Sequence, residues 1–135
     1  MTTPAHPPAG AYRWYFSAGM IPEHSTGHEP EFTSRIEICL LNTGVEEARV
    51  QATVYHENSE PVGPYEIRVP GARVCHVRIN DLIEPEAVPL GRPFGLALDS
   101  EVPVVAQLMY LDTRSGQLAV TSIPGIAEGS GGSER

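Results

Sequence analysis

The sequence predicts an all-β protein, an eight-stranded antiparallel β-sandwich, and three observations carry that prediction. Gly and Pro number 13 each among 135 residues, nearly a fifth of the chain. Pro removes a backbone donor and Gly costs backbone entropy, so helices tolerate that density poorly, whereas short strands joined by many turns absorb it. No segment sustains a 3.6-residue apolar period, while several alternate apolar and polar positions in strand fashion. Turn signals also recur at spacings typical of sandwiches.

The elements follow in order. Residues 1–11 carry three prolines and no periodicity, and form a flexible N-terminal arm. Tyr12–Ser17 is an apolar, aromatic first strand closed by Gly19 and Pro22, and the loop 20–31 after it is rich in Pro, Gly, His and Glu. The second strand, Thr33–Leu41, ends at Asn42-Thr43-Gly44, residues that tolerate left-handed backbone. Ala48–His56 alternates Val50, Ala52 and Val54 with Gln51, Thr53 and Tyr55, and pairs with the second strand as a hairpin. Two strands, 65–69 and 72–79, are fenced by prolines and joined at Pro70-Gly71. Asn80-Asp81-Leu82-Ile83 suits one helical turn capped by Asn80 or Asp81. A Pro/Glu-rich link, 84–93, leads to Phe94–Asp99 and Pro103–Leu111, which Ser100-Glu101-Val102 separates. Leu118–Ile123 is the eighth strand. A single domain thus spans 12–123, and 124–135 is a flexible, Gly/Ser-rich tail.

The net charge is −8, from 17 acidic and 9 basic residues, which disfavours nucleic-acid backbones and anionic membranes. There is no apolar run long enough to span a bilayer and no signal-peptide pattern, so a soluble, cytoplasmic location is expected. Cys39 and Cys75 are too few for a disulfide scaffold and are expected as buried, reduced thiols.

Chemistry-bearing residues are sparse. His24 and His28 lie four apart, but between Pro22 and Pro30, where helical geometry does not form. Cys75 and His76 are neighbours in a strand and point to opposite faces, so with Cys39 they make no obvious metal set. Nucleophile elbows and Gly-rich phosphate loops are absent from the folded region. The expectation is therefore no catalytic residue, no metal and no cofactor.

One strand face stands out. Val74, His76 and Arg78 share one side of the fifth strand, and Arg73, Cys75 and Val77 the other. Arg78 offers a rigid donor fork and His76 a donor or acceptor, which together suit a polar ligand platform. Gln107 falls in the apolar run Pro103–Tyr110, where burial and a hydrogen-bond partner are expected. Trp14, the sole tryptophan, suits core packing or, if exposed, stacking on a sugar ring. The candidate ligand-binding residues are Arg73, His76, Arg78, Gln107 and Trp14, with Arg73 joining only if a bulge or the Gly71 turn re-aims it. Guanidinium and imidazole groups favour an anionic or polyhydroxylated ligand. The competing reading is that these side chains hold subunits together.

Several motifs in order carry a family resemblance: Trp14, Gly19-Met20-Ile21-Pro22, Glu29-Pro30, Ser34, Cys39-Leu40-Leu41-Asn42, Ala48, Tyr55 and Glu60-Pro61-Val62-Gly63-Pro64-Tyr65. They continue through Val69-Pro70, Arg73, His76-Val77-Arg78-Ile79-Asn80-Asp81-Leu82, Val102-Pro103-Val104-Val105, Gln107, Leu111-Asp112 and Arg114. The chain resembles the sensory rhodopsin transducer family from about Trp14 to Ile123. The resemblance implies a jelly-roll-like sandwich, a homotetramer, a cytoplasmic location, and a role in signalling or ligand binding rather than catalysis. It also implies a membrane-receptor or other protein partner, and a fold like that of carbohydrate-binding sandwiches. The unusually apolar strand 103–111 independently suggests a homo-oligomer. The expected function is a non-catalytic, transducer-like module binding a small ligand or protein partner; the alternatives are a carbohydrate-binding or sugar-sensing module and, more remotely, an enzyme.

Three polar clusters are thinned relative to the family pattern. This chain has Ser34-Arg35 for Ser-His, Ala72-Arg73-Val74 for Arg-Arg-Thr, and Gln107-Leu108-Met109-Tyr110 for Gln-His-Thr-Arg. Any pocket shared with the family is less basic and more apolar here.

Overall fold

The structure, a computed structural model, describes residues 6–22, 34–112 and 119–128. Eight antiparallel strands form one continuous hydrogen-bonded sheet: β1 (Ala11–Phe16), β2 (Arg35–Asn42), β3 (Ala48–His56), β4 (Val62–Val69), β5 (Arg73–Arg78), β6 (Phe94–Asp112), β7 (Ala119–Pro124) and β8 (Ile126–Glu128). Among the described residues the only helical piece is a 3-10 turn, Ile79–Asp81. The fold is a β-sandwich-like arrangement, as the Gly/Pro punctuation predicts.

The long strand β6 organises it. Its first part, Phe94–Ser100, pairs with β3 on one side and β1 on the other, giving a first half-sheet in the order β4-β3-β6-β1-β8. Its second part, Val105–Asp112, pairs with β2 and β7, giving a second half-sheet in the order β5-β2-β6-β7. The inward residues of both halves meet in one core: Val50, Ala52, Val54, Leu96 and Leu98 from the first, Ile36, Ile38, Leu40, Ala106 and Leu108 from the second. Alternation along each strand aims these residues inward.

The sequence reading divides 94–111 into two strands at Ser100-Glu101-Val102, whereas the chain runs through as one. Pro103 explains why the break looked real and is not one. A proline cannot donate to a ladder, so it sits where the ladder is interrupted. The pairing with β3 ends at Ser100 and the pairing with β2 begins at Val105, leaving position 103 between the two. Strand β8 lies beyond the boundary at 123, because Ile126–Glu128 pairs with Tyr15–Arg13 of β1. The expected side-chain cap on the helical turn is not formed: Arg78 occupies the N-cap, and Asn80 Oδ1 is buried without a hydrogen-bond partner among the described residues.

Candidate functional site

The site is built by register. In the second half-sheet, Cys39 of β2 lies opposite His76 of β5 and Gln107 of β6, and Gln107 lies opposite Pro124 of β7. The neighbouring row is Arg78, Glu37, Met109 and Ser122, and the row on the other side is Val74, Leu41 and Val105. Directly opposed residues share a face, so these three rows form the outward surface of the half-sheet. Their inward neighbours Ile38, Leu40, Ala106 and Leu108 are buried.

Three of the five expected residues, His76, Arg78 and Gln107, therefore meet on one face. Two do not. Arg73 pairs with the inward-facing Asn42 at the strand end, is exposed, and donates from Nη1 to the Ala72 carbonyl at 3.0 Å. Trp14 belongs to the first half-sheet, where its ring packs on the core and its Nε1–H donates to the Val104 carbonyl at 2.8 Å. Gln107 also departs from expectation. It is exposed rather than buried, because it takes an outward position between Ala106 and Leu108.

Two residues complete the cluster: Glu37, which sequence reasoning passed over, and Cys39, which it weighed only in a trio with Cys75 and His76. Glu37 is buried, only 8% exposed, although it sits on the outward face. Arg35, two residues earlier on the same strand, donates from Nε to Glu37 Oε2 at 2.7 Å. The other carboxylate oxygen, Oε1, lies 3.7 Å from His76 Nδ1. Cys39 is the second, and its Sγ lies within 4.8 Å of ligand atoms of both Glu37 and His76. The signal available in the sequence was the run Arg35, Glu37, Cys39, a polar side chain at three successive outward positions of one strand. Only the β2–β5 register, which sequence does not reveal, joins that run to His76.

Arg78 faces Glu37 across the strand pair, and its Nε is shielded from solvent without a hydrogen-bond partner among the described residues. The Cys39 thiol is pushed above its ordinary value, chiefly by burial and then by the charges of Glu37 and Cys75. A nucleophilic cysteine needs the opposite shift, so the cluster has the composition of a Cys–His–carboxylate triad without its activation. Cys75 faces the core while Cys39 faces outward, so the two thiols, both free, cannot bridge. His24 and His28 lie outside the described residues.

A second concavity lies elsewhere. A groove of about 510 Å³ lies between the β3–β4 loop and the 86–93 link, lined by His56, Glu57, Glu60, Glu86 and Arg92 among others. Three carboxylates against one guanidinium make it acidic; the outward cluster on β2 and β5, with its shielded Arg78 Nε, is the better site.

Fold and site together define a small β-sandwich-like protein carrying a charged cluster on an open sheet face. The chain matches the family model described as the Anabaena sensory rhodopsin transducer over residues 9–126, and it belongs to that family. Among solved structures it is similar to the Anabaena sensory rhodopsin transducer, at 40% identity and a TM-score of 0.68 over 75% of this chain and 95% of that one. It is also similar to the Thermotoga maritima 1070 structure, at 31% identity and a TM-score of 0.76 over 88% of this chain and 96% of that one. No curated protein matches the sequence. Among the described residues no helix is long and apolar enough to cross a membrane.

Proposed function

We propose that this protein is a non-catalytic, transducer-like signalling module that recognises an anionic or polyhydroxylated ligand on the outward face of the second half-sheet. His76, Arg78 and Gln107 are the binding residues. The observation that carries this reading is the Arg78 Nε–H, shielded from water and without a hydrogen-bond partner among the described residues, on an otherwise open strand face. A buried donor without an acceptor costs about 1–3 kcal/mol, and a ligand oxygen placed there recovers it. Membership in a transducer family supports the signalling role, and the raised Cys39 thiol argues against a nucleophilic enzyme. The same family relation supports a cytoplasmic homotetramer and a membrane-receptor partner, the name of the Anabaena relative pointing to a rhodopsin.

The test is Arg78→Ala against a panel of small carboxylates and neutral sugars, read by thermal denaturation and sedimentation. A ligand at a hundred times its Kd stabilises the wild type by about 2.7 kcal/mol. The variant is expected to keep the wild-type assembly and lose that stabilisation. Dissociation into smaller species would instead assign Arg78 to the subunit interface.

The sugar-binding alternative now rests on different aromatics. Trp14 and Tyr110 are half-buried and packed on the core, so neither offers a platform. Tyr15 and Tyr55 are 38% and 48% exposed and line a shallow groove with Gly95 on the first half-sheet. Tyr55 lies opposite Gly95 and Tyr15 opposite Ala97, so both rings stand beside small residues of β6, which suits stacking on a pyranose. In the same panel, this reading requires a neutral sugar whose effect disappears in Tyr55→Ala and persists in Arg78→Ala.

A further inference from the structure

We propose that Glu37, Cys39 and His76 form a site for a thiophilic divalent cation of the zinc class. Three donor types, carboxylate oxygen, thiolate sulfur and imidazole nitrogen, offer ligand atoms that all lie within 4.8 Å of one another. This is a donor set that zinc takes in sites with three protein ligands and one open position. Bond lengths of about 2.0–2.3 Å imply ligand-to-ligand separations of about 3.3–3.7 Å in a tetrahedron. An oxygen–nitrogen pair needs about 3.3–3.5 Å, and the Glu37 Oε1 to His76 Nδ1 distance of 3.7 Å stands a few tenths of an ångström outside it. The remaining closure is within reach of side-chain rotation.

Placement favours the site as well. Glu37 and Cys39 are two apart on β2, and His76 lies directly opposite Cys39 on β5, so all three project from paired strands rather than loops. Ligands on rigid elements lose little freedom on binding. Arg35 holds Glu37 Oε2 and leaves Oε1 turned toward His76, the outer-shell orientation that metal carboxylates use. The fourth position opens to the exposed side of His76.

The surrounding charge selects the ion. Arg35 is bonded to Glu37 and Arg78 stands opposite it, so a hard cation held by charge alone is repelled. An ion that bonds to sulfur offsets the same repulsion, because Cys39 releases its proton to solvent on binding and adds a second negative ligand. Mg²⁺ and Ca²⁺ are therefore poor occupants. The site does not depend on the recognition role proposed above, although it shares that face.

The experiment titrates the chelator-treated full chain with Co²⁺, with no organic ligand or partner protein present. The expected result is a saturable sulfur-to-cobalt charge-transfer band with tetrahedral visible bands, displaced by Zn²⁺ and not by Mg²⁺. Cys39→Ser is expected to abolish the sulfur band, His76→Gln to weaken binding about tenfold or more, and Cys75→Ser to leave the band intact. Far-ultraviolet circular dichroism establishes that each variant is folded. Absence of a sulfur band in the folded wild type, its survival in Cys39→Ser, or equal displacement by Mg²⁺ would overturn the proposal. Because no organic ligand is present, that failure leaves the recognition reading standing, and the converse holds.

Discussion

Asn42 shows how one polar side chain can organise a β protein from inside. It is fully buried, and its Nδ2 donates to the carbonyls of Glu46 at 2.8 Å and Val69 at 3.0 Å, with Pro70 at 3.3 Å. Its Oδ1 accepts from the Gly44 N–H at 3.0 Å. One amide thus ties the end of β2 to its own turn and to the β4–β5 turn. Asn42→Ala leaves buried backbone groups unpaired and is expected to cost about 2–4 kcal/mol, each such group being worth about 1–3. Asn42→Asp preserves the shape but sets lone pairs against carbonyl oxygens, so it is expected to be worse than Ala at neutral pH. Chemical denaturation of both variants checks the order, and an Asp variant as stable as wild type would refute the account. The motif Asn42-Thr43-Gly44 was legible as a turn from the sequence. That the same asparagine also grips a turn 27 residues away was not, because the contact exists only once β2 and β4 are stacked.

At the scale of elements, the tight turn between β4 and β5 shows how far local chemistry reaches. The Pro70-Gly71 turn was legible, and its reason lies in what it packs against. A Cβ added to Gly71 would stand 2.2 Å from the Val45 carbonyl oxygen. The next residue, Ala72, takes φ of 56°, a left-handed conformation costing about 1–2 kcal/mol for a residue with a Cβ, and its N–H donates to the Gly44 carbonyl at 2.8 Å. Neighbouring positions therefore respond oppositely to chemically similar changes. Gly71→Ala is expected to destabilise by about 1–3 kcal/mol through overpacking. Ala72→Gly relieves the left-handed strain and raises the entropy of the unfolded chain by a similar amount, so it is expected near neutral. Melting temperatures check this, at about 3–5 °C per kcal/mol for a domain of this size. Longer-range features escaped the sequence. Eight strands were expected and eight are described, but three readings within them differed: Pro103 looked like a strand start, Ile126–Glu128 looked like tail, and β2, expected to form a hairpin with β3, pairs instead with β5 and β6. All three depend on which strands lie alongside, and period-two alternation cannot supply that. The candidate site divides in the same way. Alternation put His76 and Arg78 on one face and Arg73 on the other, whereas Glu37 and Cys39 needed the register.

For the whole molecule, the open face of the second half-sheet has two chemically distinct ends. One carries Glu37, Cys39, His76 and Arg78; the other is the apolar row Val74, Leu41 and Val105. Leu41 is 41% exposed and Val74 62%, in a chain whose net charge of −8 otherwise keeps copies apart. Exposed aliphatics aligned across three adjacent strands suit burial against a second copy of the same row, since a self-complementary patch is what a two-fold interface requires. The expected apolar strand, 103–111, contributes only Val105 here, because its other apolar residues face the core or lie beside the polar rows. Leu41→Asp places a carboxylate in each half of such a contact, where two like charges would be desolvated together. An exposed substitution changes the stability of an isolated fold by about 0.5 kcal/mol or less, so the variant is expected to stay folded while its assembly dissociates. Sedimentation equilibrium with circular dichroism reads both quantities. A wild type that sediments as a monomer at micromolar concentration would remove the oligomer. A Leu41→Asp protein that keeps the wild-type mass would move the interface off this row and leave the whole face open to ligand.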